Sequence, residues 1–193
     1  MISDVHLDFE YTVGTDSECN LPLCCRPVNG FTSDPLRAAG KFGSFKCDTP
    51  FWVFHEMTKY IRDEIKPDMF FWTGDNSAHV VWDNSNEEVI GYTVNITNTL
   101  KEVFKDSSVS FYPIQGNHDT WPVNVQSFDK EGNNIPLETY KKVWNGWLTP
   151  ESIEQFQKYG YYSQNLVIDG KELNAKVIGI NTQTCNNMNW FLL

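Results

Sequence analysis

The sequence predicts an α/β protein in which strands and helices alternate in layers. Short apolar runs at 69–73 and 109–114 are too brief for helices, and each ends on a glycine followed by polar residues. Apolar residues around and after them recur at helical spacing. Near the C-terminus two further runs flank Asp169-Gly170, a good pair for a type I′ hairpin turn. Such alternation builds open sheets covered by helices.

Residues 2–6 read as the end of a strand. Residues 9–47 are irregular and rich in Cys, Pro, Gly and Asp, and a loop of that length is expected to be stapled or functional. Asp48-Thr49-Pro50 predicts a helix start, with a capping side chain followed by Pro50 in the first turn. Phe54, Met57, Ile61 and Ile65 would face inward, and Pro67 would stop the helix. After the strand at 69–73, a second helix starts at Ser85 or Asn86 and turns Val89, Thr93, Ile96, Leu100 and Phe104 inward. The strand at 109–114 follows, then helices over 137–148 and 150–159. Thr149 caps the latter, Pro150 fits its first turn and Gly160 closes it. Runs 161–168 and 173–181 form the hairpin. The final Trp190-Phe191-Leu192-Leu193 is apolar and reads as the interior of a domain that continues.

Composition narrows the function. Of 193 residues, 15% are aromatic and 21% charged, which is a folded composition. The net charge is −10 and no basic stripe occurs, so a nucleic-acid duplex is not an expected partner. No window reaches the ~18 apolar residues of a membrane span, so no transmembrane segment is expected. Met1 is followed at once by Ile2-Ser3-Asp4, so no signal peptide is expected within these residues. Cys19, Cys24, Cys25 and Cys47 lack the paired spacing of a zinc site and read as a disulfide cluster, which implies an oxidising compartment. Four cysteines allow three pairings. A bond between the adjacent Cys24 and Cys25 is strained, which leaves two. Asn95-Ile96-Thr97 is an N-glycosylation sequon consistent with that compartment.

Three strand ends carry polar clusters: Asp4-Val5-His6, Gly74-Asp75-Asn76 and Gly116-Asn117-His118-Asp119. Ligands of open α/β sheets bind beyond the carboxyl ends of strands, where these clusters would lie. In a strand, residues i and i+2 project to one side, so Asp4 and His6 would reach one ion together. Carboxylate oxygen and imidazole nitrogen suit zinc, manganese or iron. Gly74 and Gly116 would permit sharp turns and bring the backbone close to the ions.

This ordered set resembles the signature of the calcineurin-like metallophosphoesterases. The segments Ser3 to Tyr11, Pro22-Leu23-Cys24-Cys25-Arg26, Lys46-Cys47-Asp48, Asp75-Asn76-Ser77-Ala78-His79 and Pro122-Val123-Asn124 are similar to the acid sphingomyelinases within that family. The resemblance implies a layered sandwich of two central β-sheets flanked by helices. It implies two divalent metal ions, zinc foremost, held by Asp4 and His6 on one side, Asn117 on the other and Asp75 between them. His118 would face the phosphate and donate a proton, and His79 would hydrogen-bond the phosphate. The implied disulfides are Cys19–Cys24 and Cys25–Cys47. The implied substrate is a phosphodiester, sphingomyelin or a related lipid met at a membrane surface, or a nucleotide, in a secreted or lysosomal enzyme. The family has three further histidine ligands, whereas this sequence holds only His6, His55, His79 and His118. Residues 1–193 are therefore expected to be part of the catalytic domain, cut near its first strand and before its remaining ligands. A non-catalytic remnant is the other expectation.

Overall fold

The computed structural model describes residues 1–126 and 135–189, and the expectation for Trp190 to Leu193 lies outside them. The alternation of strand and helix is as expected. Strand β1 (Leu7–Asp8) pairs in parallel with β2 (Thr49–Pro50), which runs directly into helix α1 (Phe51–Tyr60). Strands β3 (Met69–Trp72) and β4 (Ser110–Pro113) are parallel and in register from Met69↔Ser110 to Trp72↔Pro113. The crossover between them is α2 (Asn86–Val103). Helices α3 (Ile135–Val143) and α4 (Pro150–Tyr159) then lead to the hairpin of β5 (Tyr162–Ile168) and β6 (Lys171–Gly179). Its turn residues Asp169 and Gly170 both have positive φ, as a type I′ turn requires.

The core lies between β3–β4 and α1, α2, α3 and α4, with Trp72, Phe54, Ile96, Leu100, Tyr140, Trp144 and Phe156 all fully buried. Helix α2 begins as its sequence requires. The Ser85 hydroxyl accepts from the Glu88 backbone N–H while the Glu88 carboxylate accepts from that of Ser85, a reciprocal capping box. Its inward stripe is the expected one, Thr93 included. Helix α4 starts on Thr149 and closes on left-handed Gly160.

Three expectations are corrected. No side chain among the described residues caps α1, which starts at Phe51 with Pro50 itself as the N-cap, and the Asp48 carboxylate is taken by His79. The inward face of α1 is built by Phe54 and Thr58, which turns Met57 to the solvent side, and a π-helical turn over Ile61–Ile65 then shifts the register so that Ile65 is exposed as well. Residues 2–6 are not a regular strand. They touch β3 through one parallel bridge, Ile2↔Trp72, and Asp4 and His6 both have positive φ.

Candidate metal and phosphate site

Three loops meet beyond the carboxyl ends of β3 and β4. The N-terminal segment lies along the loop after β3, with the backbone N–H groups of Asp4, His6 and Leu7 donating to the carbonyls of Gly74, Asp75 and Asn76 at 3.1, 3.1 and 2.8 Å. These bonds hold Asp4 and His6 left-handed, at φ 53° and 34°. Their convergence therefore does not come from the alternation of a strand.

The loops after β3 and β4 are packed backbone to backbone. A Cβ on Gly74 would lie 2.2 Å from the Gly116 nitrogen, and one on Gly116 would lie 2.3 Å from Asp75 Oδ1. Neither contact is tolerable, so both positions require glycine for loop against loop. The clasp between them is Asp119, fully buried at the end of its 3₁₀ turn. Its carboxylate accepts from the backbone N–H groups of Asp75, Asn76 and Gly116 at 3.0, 2.9 and 2.8 Å. Burial raises the Asp119 carboxyl to about 7, with the N–H donors pulling the other way. Behind it, Asn76 donates to Thr93 of α2 at 2.9 Å, which explains a polar residue on that helix's inward stripe.

On this frame the ligand atoms of Asp4, His6 and Asp75 all lie within 4.8 Å of one another. His6 Nδ1 is 2.9 Å from the Ser77 carbonyl. A carbonyl only accepts, so Nδ1 carries the proton and Nε2 is left as a ligand. The side-chain oxygen of Asn117 faces the Asp75 carboxylate at 3.0 and 3.2 Å. Two acceptors aimed at each other are reconciled by a cation between them. The donor set of carboxylates, imidazole and amide oxygen fits divalent metal ions. A cleft of about 410 Å³, lined by Thr73, Asp75, Asn117, Thr182 and Asn186, opens beside them.

His6 also joins a second group. Its ring centroid lies 3.9 Å from that of His79 and 4.8 Å from that of His118. His118 is fastened by its backbone, whose N–H donates to Asp75 Oδ1 and whose carbonyl accepts from the Ser77 hydroxyl. Its Nδ1 is buried and makes no hydrogen bond among the described residues. Burial, with His6 and His79 alongside, lowers its pKa to about 4. His79 is exposed but anchored: Asp48 accepts from its backbone N–H and pairs with its Nδ1, both at 2.7 Å.

All six residues singled out in the sequence are thus brought together. His55 stays apart on α1 beside Glu56, as expected of a surface histidine. The sequence reading missed two residues, Asp48 and Asp119. Each stands inside one of the sequence motifs, Lys46-Cys47-Asp48 and Gly116-Asn117-His118-Asp119, and the surplus carboxylate there is the available signal. The implied disulfides are both formed, Cys19–Cys24 and Cys25–Cys47, and the second ends one residue before Asp48.

Comparison with known proteins finds relatives over nearly the whole chain. The chain is 33% identical over 195 residues to sphingomyelin phosphodiesterase B of Dictyostelium discoideum, covering 99% of this chain and 29% of that protein. It is 37% identical over 184 residues to acid sphingomyelinase-like phosphodiesterase 3b of Mus musculus, covering 94% and 37%. It is 30% identical over 199 residues to sphingomyelin phosphodiesterase of Homo sapiens, covering 100% and 30%. The chain thus spans about a third of the length of the curated relatives it matches. The family model for calcineurin-like phosphoesterase matches residues 1–190, the stretch that contains all three loops, and the chain belongs to that family.

Proposed function

We propose that this chain supplies the cation-binding and phosphate-facing residues of a metal-dependent phosphodiesterase. Its substrate would be sphingomyelin or a related phosphodiester. The observation that carries the reading is the convergence of Asp4, His6, Asp75 and the Asn117 oxygen with the rings of His79 and His118. Asp4 and His6 would hold one divalent ion, Asn117 a second, and Asp75 would bridge them, with zinc the best match to these donors. Divalent ions bound there would supply a hydroxide near neutral pH and offset charge on the phosphoryl oxygens. His118 is neutral in the free site, and an anionic phosphodiester laid against its ring raises its affinity for a proton, which it can then give to the leaving oxygen. Asp48 fixes the ring of His79 by Nδ1 and leaves Nε2 to the phosphate. The names of the relatives favour a sphingomyelin substrate, reached at a membrane surface, over a nucleotide. No helix among the described residues is long and apolar enough to cross a membrane. The two disulfides, with Asn95 exposed on α2, favour a secreted or lysosomal setting.

The test measures metal stoichiometry and hydrolysis of bis(p-nitrophenyl) phosphate on the same purified protein. Two ions per chain, turnover abolished by chelation, and its loss in Asp75→Ala support the enzyme. His118→Ala should keep the metal and slow turnover most for substrates with a poor leaving group, by about 10²–10⁴ on a phosphodiester of an alkyl alcohol and by less on the p-nitrophenyl ester. Cation uptake with hydrolysis at buffer background would instead favour the second reading, a non-catalytic metal-binding remnant of the family.

A further inference from the structure

The two ends of an asparagine amide are nearly the same shape, and its hydrogen bonds decide which end faces a neighbour. Judged against Asp75 alone, Asn117 would be better bonded the other way round, its nitrogen donating to the carboxylate at 3.0 and 3.2 Å. That orientation would close the site on itself and offer a cation no oxygen. What prevents it is visible further along the chain. The Met188 backbone N–H, which can only donate, gives its proton to Asn186 Oδ1 at 2.9 Å. The other end of Asn186 is therefore nitrogen, and it donates to Asn124 at 3.1 Å. The atom it reaches must be Asn124 Oδ1, and the same oxygen lies 3.0 Å from Asn117. Asn117 must then present nitrogen to Asn124 and oxygen to Asp75.

We propose that Asn124 and Asn186 are positioning residues which set the polarity of the Asn117 amide so that its oxygen serves the second cation. The proposal rests on the metal reading above. It requires an acceptor at 124 and a donor at 186. Asn124 sits at φ 67°, in the left-handed region that Asn and Asp tolerate.

The test is a titration of the purified chain with Co²⁺ into the millimolar range, followed by visible absorption, with melting temperatures as a check on folding. Asn124→Asp keeps an acceptor towards both amides, so its cobalt affinity should equal or exceed that of the unaltered chain. Asn186→Asp turns an acceptor on Asn124. Both remaining amides should then reverse, Asn117 should donate to Asp75, and affinity for the second equivalent should fall at least about tenfold, the usual scale for a lost supporting contact. The two substitutions are isosteric and add the same charge. If both tighten cobalt alike, charge alone governs the site and the proposal is overturned while the metal reading stands. If the unaltered chain takes up no cobalt, the metal reading fails and the relay falls with it. Should Asn186→Asp fail to fold, Asn186→Ala takes its place. Its affinity should drop and should recover in Asn124→Asp/Asn186→Ala, because a carboxylate needs no orienting. Failure to recover counts against the relay.

Discussion

At the scale of single residues, two carboxylates that bind no substrate hold the site together. Asp119 accepts from three backbone N–H groups of two different loops. Asp119→Asn turns an NH₂ towards a donor and should cost about 1–3 kcal/mol, the penalty for one buried group left unsatisfied. Asp119→Ala abandons all three donors and should cost at least ~3 kcal/mol. Urea denaturation of both variants measures this, and equal stability to the parent would show that water replaces the carboxylate. Asp48 works on one residue rather than two loops. Asp48→Ala should leave cobalt affinity unchanged and lower phosphodiester turnover roughly tenfold or more, as for other contacts that orient a site residue. A loss of cobalt affinity would place Asp48 in the metal shell instead.

At the scale of elements, local chemistry sets most boundaries. The box at the start of α2 is entirely local, and Ser85→Ala should cost about 1 kcal/mol in thermal or urea unfolding. No change would mean that tertiary packing alone positions the helix. Where such local signals exist, the sequence is legible: α2, α4, β3, β4 and the Asp169-Gly170 hairpin all stand where their caps, periods and turn residues put them. The failures have a common physical cause. Left-handed φ at Asp4 and His6 is imposed by hydrogen bonds to residues some seventy positions away, and nothing in Asp-x-His announces it. Asp48 beside Pro50 has the form of a cap, yet a partner 31 residues on outcompetes the helix N-terminus for its carboxylate. The exposed Ile65 follows from a π turn after α1 that shifts the register beyond Tyr60. The candidate ligands were legible as residue types in order, while the residues that aim them were not.

At the scale of the whole molecule, the stapled segment 9–47 is joined to the site by covalent bonds. Cys25–Cys47 closes a stretch of 22 residues next to Asp48, whereas Cys19–Cys24 closes five within an outer loop. Replacing Cys25 and Cys47 by Ser should lower stability by about 3 kcal/mol on chain-entropy grounds. It should also reduce turnover beyond the loss seen on replacing Cys19 and Cys24. Melting curves and phosphodiester assays on the two double variants make the comparison, and equal effects would disconnect the staple from His79. The backbone clasp at Asp119 has a thermodynamic corollary. It fastens main chain rather than ligand side chains, so the loops keep their shape whether or not an ion is bound. Ion uptake then orders little chain and buries little apolar surface. Its calorimetric signature should be a heat-capacity change close to zero, with an entropy gain from water stripped off the incoming ion.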